Sequence, residues 1–125
     1  MPDTTTARIG LRDDGLLVVR VRESVQQSLA DATENLALAI AETGGRRRPL
    51  LIDIRKAQPL EAEVRHHYTG QRLVEGFTAL ALLVEVSAFG RTMGNVYLRV
   101  ARPGIPTRLF TDEDSAVRWL EGYRS

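Results

Sequence analysis

Apolar and polar positions alternate with period two at the start of the chain, switch to a period of three to four, and then take turns to its end. Residues 8–12 alternate through Ile9 and Leu11, and residues 16–22 form a valine-rich run. Asp13-Asp14-Gly15 separates them, and aspartate followed by glycine suits the positive φ of a tight hairpin. These two runs are predicted to pair antiparallel. From about Ser24, Val25, Leu29, Ala32, Leu36 and Ile40 recur at steps of three and four, the stripe of an amphipathic helix. Ser24 with Gln27 reads as its capping box, and Gly44-Gly45 as its left-handed stop.

Residues 50–54 are a short apolar run after Pro49, the mark of a strand buried on both faces. Pro59 opens a second helix with Leu60, Val64 and Tyr68 inward; Gly70 interrupts it and residues 73–76 form a further turn. Residues 78–85 (TALALLVE) read as a third buried strand, although their alanines and leucines also suit a helix. Residues 87–101 fit a helix through Phe89, Met93, Val96, Tyr97 and Val100, while Val96, Leu98 and Val100 also alternate as in a strand; the longer pattern favours the helix. Pro103, Gly104 and Pro106 impose a loop before a short strand at 107–110. Thr111 with Asp114 then caps a last helix, whose acidic first turn suits the helix dipole and whose inner face is Ala116, Trp119, Leu120 and Tyr123. The order β-β-α-β-α-β-α-β-α implies an α/β domain: a five-stranded, mostly parallel sheet, antiparallel at its start, with about four helices.

Size and composition narrow the classes. At 125 residues there is room for one domain, placed at 8–125, behind a tail at 1–7 expected to be disordered. The absence of cysteine excludes disulfides, thiolate metal sites and thiol nucleophiles. A net charge of +1 is too balanced for nucleic-acid or membrane-surface binding by bulk charge. No apolar run approaches a membrane span and the first residues do not resemble a signal peptide, so a cytoplasmic protein is expected.

The hairpin opening, the TALALLVE strand, the FGRTMGNVYL segment and above all the ending PGIPTRLFTDEDSAVRWL carry a resemblance over about residues 8–123. Together they resemble the SpoIIAA-like fold of the STAS family, the sulfate-transporter and anti-sigma-factor-antagonist domains, and small stand-alone bacterial members of unassigned role in particular. The resemblance implies a βα superhelix with strands side by side in chain order, which lacks the reversal that makes a ligand crevice in doubly wound sheets. It also implies a module that works by protein–protein contact, in regulation or as a homodimer. In the usual switch of that family a serine or threonine follows the central strand. Here Asp53 matches the acidic residue near that strand's end, but residues 53–61 (DIRKAQPLE) hold no hydroxyl group. Ser87 is the one nearby substitute, and it reads first as a helix N-cap.

No residue set converges on catalysis. His66 and His67 are helix neighbours about 100° apart, a poor chelating pair, and no other metal-ligand spacing accompanies them. Gly90 and Gly94 lack the spacing of a phosphate loop. Arg46-Arg47-Arg48 offers an anion contact, but reads first as a solvated helix end. The expected contact surface is Arg55, Lys56, Gln58, Glu61 and Arg65 after the central strand, joined by Arg91, Asn95 and Leu98 on the outer face of the third helix. The resemblance extends to lipid-binding CRAL-TRIO domains of the same superhelix class. They imply an alternative, a small apolar or anionic ligand held near Tyr68, Phe77, Phe89 and Met93. No catalytic residue, metal or cofactor is expected.

Overall fold

A computed structural model of the protein describes residues 6–23, 28–56, 75–86 and 104–123. The strands are β1 (Ala7–Leu11), β2 (Leu17–Val21), β3 (Arg48–Asp53), β4 (Phe77–Leu83) and β5 (Thr107–Phe110). They form one sheet in the order β1-β2-β3-β4-β5. The β1–β2 pair is antiparallel and the remaining three pairs are parallel. The expected α/β class, strand number and sequential order are therefore all present. Of the about four helices expected, two complete ones lie among the described residues, α1 (Leu29–Glu42) and α2 (Glu113–Glu121). The helices expected from residues 59 and 87 fall outside the described residues, save that Glu75 and Gly76 are helical.

The inner strands β2, β3 and β4 each serve two cores because their side chains alternate. Leu17, Val19, Leu50, Ile52, Leu80 and Leu82 meet Ala32, Leu36 and Ala39 of α1 on one face. Leu16, Val18, Leu51, Ala79, Ala81 and Leu83 meet Ala116 and Leu120 of α2 on the other. This settles the TALALLVE ambiguity: Leu80 and Leu82 face α1, and the small Ala79 and Ala81, beside Leu83, let α2 approach the sheet. A register shift between Arg48 and Pro49 puts Phe77, wholly buried, on the α1 side with Leu80. In the hairpin Gly15 takes φ +90°, as the Asp-Gly pair predicts.

The start of the chain is better anchored than its composition suggests. Thr6 is buried and Ala7 opens β1, so these two residues of the tail expected over 1–7 belong to the fold; residues 1–5 lie outside the described part. The anchor is Asn35 of α1, also buried, whose Nδ2 donates to Thr6 Oγ1 at 2.8 Å. A buried amide needs such a partner, because leaving it unpaired costs about 1–3 kcal/mol.

Both helix starts differ from the sequence reading. The α1 capping box is Ser28 with Asp31, not Ser24 with Gln27, and Leu29 is exposed. The α2 cap is Asp112, not Thr111, and its Oδ2 accepts from Ser115 N at 2.9 Å. At the far end of α1, Gly44 and Gly45 take positive φ as expected, and Arg48 Nε closes the turn onto Thr43 O at 2.7 Å. Trp119 and Tyr123, expected on the inner face of α2, are half-buried and pack against the α2-side core, their rings tilted by 55° with centroids 4.9 Å apart.

Candidate functional site

The charged residues that the fold gathers lie at the carboxyl end of β2 and β3. Arg20 interrupts the valine run of β2, and parallel register sets it beside Asp53, the last residue of β3. Arg20 Nη1 donates to Asp53 Oδ2 at 3.0 Å and to Glu113 Oε1, in the first turn of α2, at 2.7 Å. Arg55, two residues beyond β3, grips the same aspartate from the other side. Its Nε lies 3.0 Å from Oδ1, its Nη2 2.8 Å from Oδ2, and its backbone N–H donates to Oδ1 at 3.1 Å. Arg55 Nη2 also stands 3.9 Å from Glu113. Two guanidiniums and two carboxylates thus form one neutral quartet tying β2, β3 and α2 together.

The electrostatics follow from that geometry. Burial alone would raise the Asp53 pKa, but the Arg55 side-chain and backbone bonds, its charge and the Arg20 bond outweigh it, and the carboxyl sits below its ordinary range. The Arg20 bond does the same for Glu113 against a smaller effect of burial. Both carboxylates are ionised at neutral pH, bound as acceptors and poorly matched to proton transfer there.

A cleft of about 400 Å³ opens next to the quartet. It is lined by Arg8, Arg20, Val21, Arg22, Glu23, Asp53, Arg55 and Lys56. The strand order has no reversal, so this is not the switch-point crevice of a doubly wound sheet. It is framed by the start of β1, the end of β2 and the loop after β3. A smaller recess, about 200 Å³, lies at the opposite end of the sheet between Asp13-Asp14-Gly15 and Arg46-Arg47-Arg48. There Arg47 donates to Phe77 O at 2.7 Å and Arg48 to Thr43 O, so this end of the arginine triplet closes the fold.

Of the expected contact residues, Arg55 and Lys56 are described, and both line the larger cleft. Gln58, Glu61, Arg65, Arg91, Asn95 and Leu98 lie outside the described residues, as do Ser87, His66 and His67. So do Tyr68, Phe89 and Met93 of the alternative ligand pocket. Its remaining member, Phe77, is packed in the α1-side core and lines neither cleft. Among the described residues no group of three or more histidines, aspartates or glutamates is placed to hold a metal, and no helix is long and apolar enough to cross a membrane. The sequence reading missed Arg20 and Glu113. The available signal for Arg20 was a charge inside an apolar strand; Glu113 looked like any acidic residue in a first helical turn.

The model of a domain of unknown function, DUF7793, matches residues 9–124. The chain belongs to the DUF7793 family. No curated protein matches this DUF7793 chain. Among solved structures it is similar to an uncharacterised protein of the DUF3478 family with a SpoIIAA-like fold, from Shewanella loihica PV-4. The TM-score is 0.65 at 19% identity, over 96% of this chain and 98% of that one. A protein of unknown function from Arthrobacter sp. FB24 aligns at 24% identity over 90% of each chain, with a TM-score of 0.36. The SpoIIAA-like expectation therefore holds for the fold of this DUF7793 protein.

Proposed function

We propose that the protein is a non-enzymatic interaction module of the STAS-like kind, acting through self-association or a signalling partner in the cytoplasm. The observation that carries this reading is the Asp53 carboxylate. It stands where the resemblance puts the switch region, yet Arg20 and Arg55 hold it as a structural ion, and no hydroxyl follows it up to Glu61. A group fixed in this way positions the loop after β3 instead of reacting. That loop presents Arg55 and Lys56, and residues 58, 61 and 65 extend the proposed contact surface, with Arg91, Asn95 and Leu98 as a second patch. A homodimer is the simplest form of the proposal. Size-exclusion chromatography with light scattering is expected to give twice the 13.9 kDa chain mass; a strict monomer up to high concentration removes the dimer and leaves only a foreign partner.

The second reading is a small-ligand binder. The cationic lining of the larger cleft favours an anionic ligand over an apolar one. Native mass spectrometry of freshly purified protein tests it, and a bare chain mass counts against a tightly retained ligand.

A further inference from the structure

We infer that Arg55 is a lever coupling the contact loop after β3 to the docking of α2, so that a partner carboxylate drawing Arg55 off Asp53 loosens the helix. This rests on the reading of that loop as a contact surface and names the regulation it exerts. Three observations support it.

The first is how lightly α2 is seated. Its buried side chains are Ala116 and Leu120, packed on the side of Leu51, Ala79, Ala81 and Leu83, whereas α1 buries Ala32, Asn35, Leu36 and Ala39. A nine-residue helix falls short of the ~12–15 residues a helix needs to persist in water without packing, so α2 is helical only while docked. The second is that polar side chains clasp both of its ends. Arg20 Nη1 donates to Glu113 Oε1 in its first turn at 2.7 Å, and Thr78 Oγ1 donates to Tyr123 O, just past its last turn, at 2.8 Å. The third is that the first clasp is shared with the loop. Arg20 spends the same Nη1 on Asp53, and Arg55 holds that aspartate from the other side. Of the charges around Glu113, Arg20 and Arg55 favour its ionised form and Asp53 opposes it. With Arg55 drawn away, one guanidinium is left to two carboxylates, and the bond that seats the start of α2 weakens. The side chain that sets this off is within a partner's reach, since Arg55 is 38% exposed against 12% for Asp53.

Amide hydrogen exchange of the full chain, followed by NMR, tests the coupling without a partner. Val117, Arg118, Trp119 and Leu120 are expected to exchange faster than Leu36 and Ala39 of α1, the sign that α2 opens by itself. Arg55→Gln is expected to speed the α2 amides roughly fivefold, the size of a coupling between partly solvated charges. In a Glu113→Ala background the lever has nothing to pull on, and the same substitution is expected to leave those amides unchanged. Arg55→Lys keeps the charge without the paired fork, is expected to act more weakly, and serves if Arg55→Gln does not fold. Lys56→Gln, next to it on the loop and outside the quartet, is expected to have no effect on α2. Exchange in α2 no faster than in α1 would overturn the lever. So would α2 amides indifferent to Arg55→Gln, equally accelerated by it without Glu113, or matched by Lys56→Gln. Light scattering on the same samples decides the self-association reading separately.

Discussion

Arg20 occupies the one position in β2 where a charge is tolerable, because two carboxylates from distant parts of the chain reach it. Its value lies less in the attraction itself than in what removing a partner would leave behind. Asp53→Asn keeps the shape of the site but leaves Arg55 without its bidentate acceptor and Arg20 with Glu113 alone. Both arginines are partly solvated, which moderates the loss, so a destabilisation of about 1–3 kcal/mol is expected in urea unfolding at pH 7. The pH dependence has a definite sign. The folded pKa values of Asp53 and Glu113 lie below their unfolded values. Their stabilising contribution is therefore complete above the unfolded carboxyl range of about 4 and drains as pH falls through the lower folded values. Urea midpoints followed from pH 6 to pH 2.5 are expected to fall less steeply for Asp53→Asn than for the parent chain. Parallel curves would show that Asp53 takes no part in acid unfolding.

At the scale of elements, the contrast between the two faces of β4 decides how the helices sit. Leucines fill the α1 side, while Ala79 and Ala81 leave room for Ala116 and Leu120 of α2. Ala81→Leu adds three carbons to a wholly buried position on the narrow side. It is expected to cost about 1–3 kcal/mol through overpacking, with tryptophan fluorescence reporting displacement of Trp119 in the same helix. An unchanged midpoint would mean that α2 rides up without penalty. The same elements show where sequence reasoning reaches its limit. The strands and α2 were legible because alternation and an acidic, capped start are local signals. The helix starts slipped because Ser24-x-x-Gln27 and Ser28-x-x-Asp31 offer the same capping chemistry four residues apart. What distinguishes them is tertiary: the buried Asn35–Thr6 bond fixes where α1 lies against β1, and a polar residue inside an apolar stripe was not read as a core position.

For the molecule as a whole, a mostly parallel sheet was legible from the alternation of periods, while the sequential strand order came from the resemblance to the SpoIIAA-like fold. The candidate site was legible only in part. Arg55, Lys56 and Asp53 are neighbours in sequence, whereas Arg20 and Glu113 are 93 residues apart, and no local pattern pairs them. Sequential order also dictates how stability is distributed. β3 is central, with a parallel partner on each side, and β4 is buried along nearly its whole length. Among the described residues β5 is a four-residue edge strand, half-exposed, with a single strand neighbour. Local opening follows burial and the number of neighbours, so the slowest amide exchange is expected at Leu51, Ile52, Ala81 and Leu82, and fast exchange in β5. The β1 edge is expected to exchange more slowly than β5, because α1 covers it and the Asn35–Thr6 bond anchors its start. Protection as high in β5 as in β3 would contradict a sheet that ends there, and would point to a further strand or a second chain on that edge.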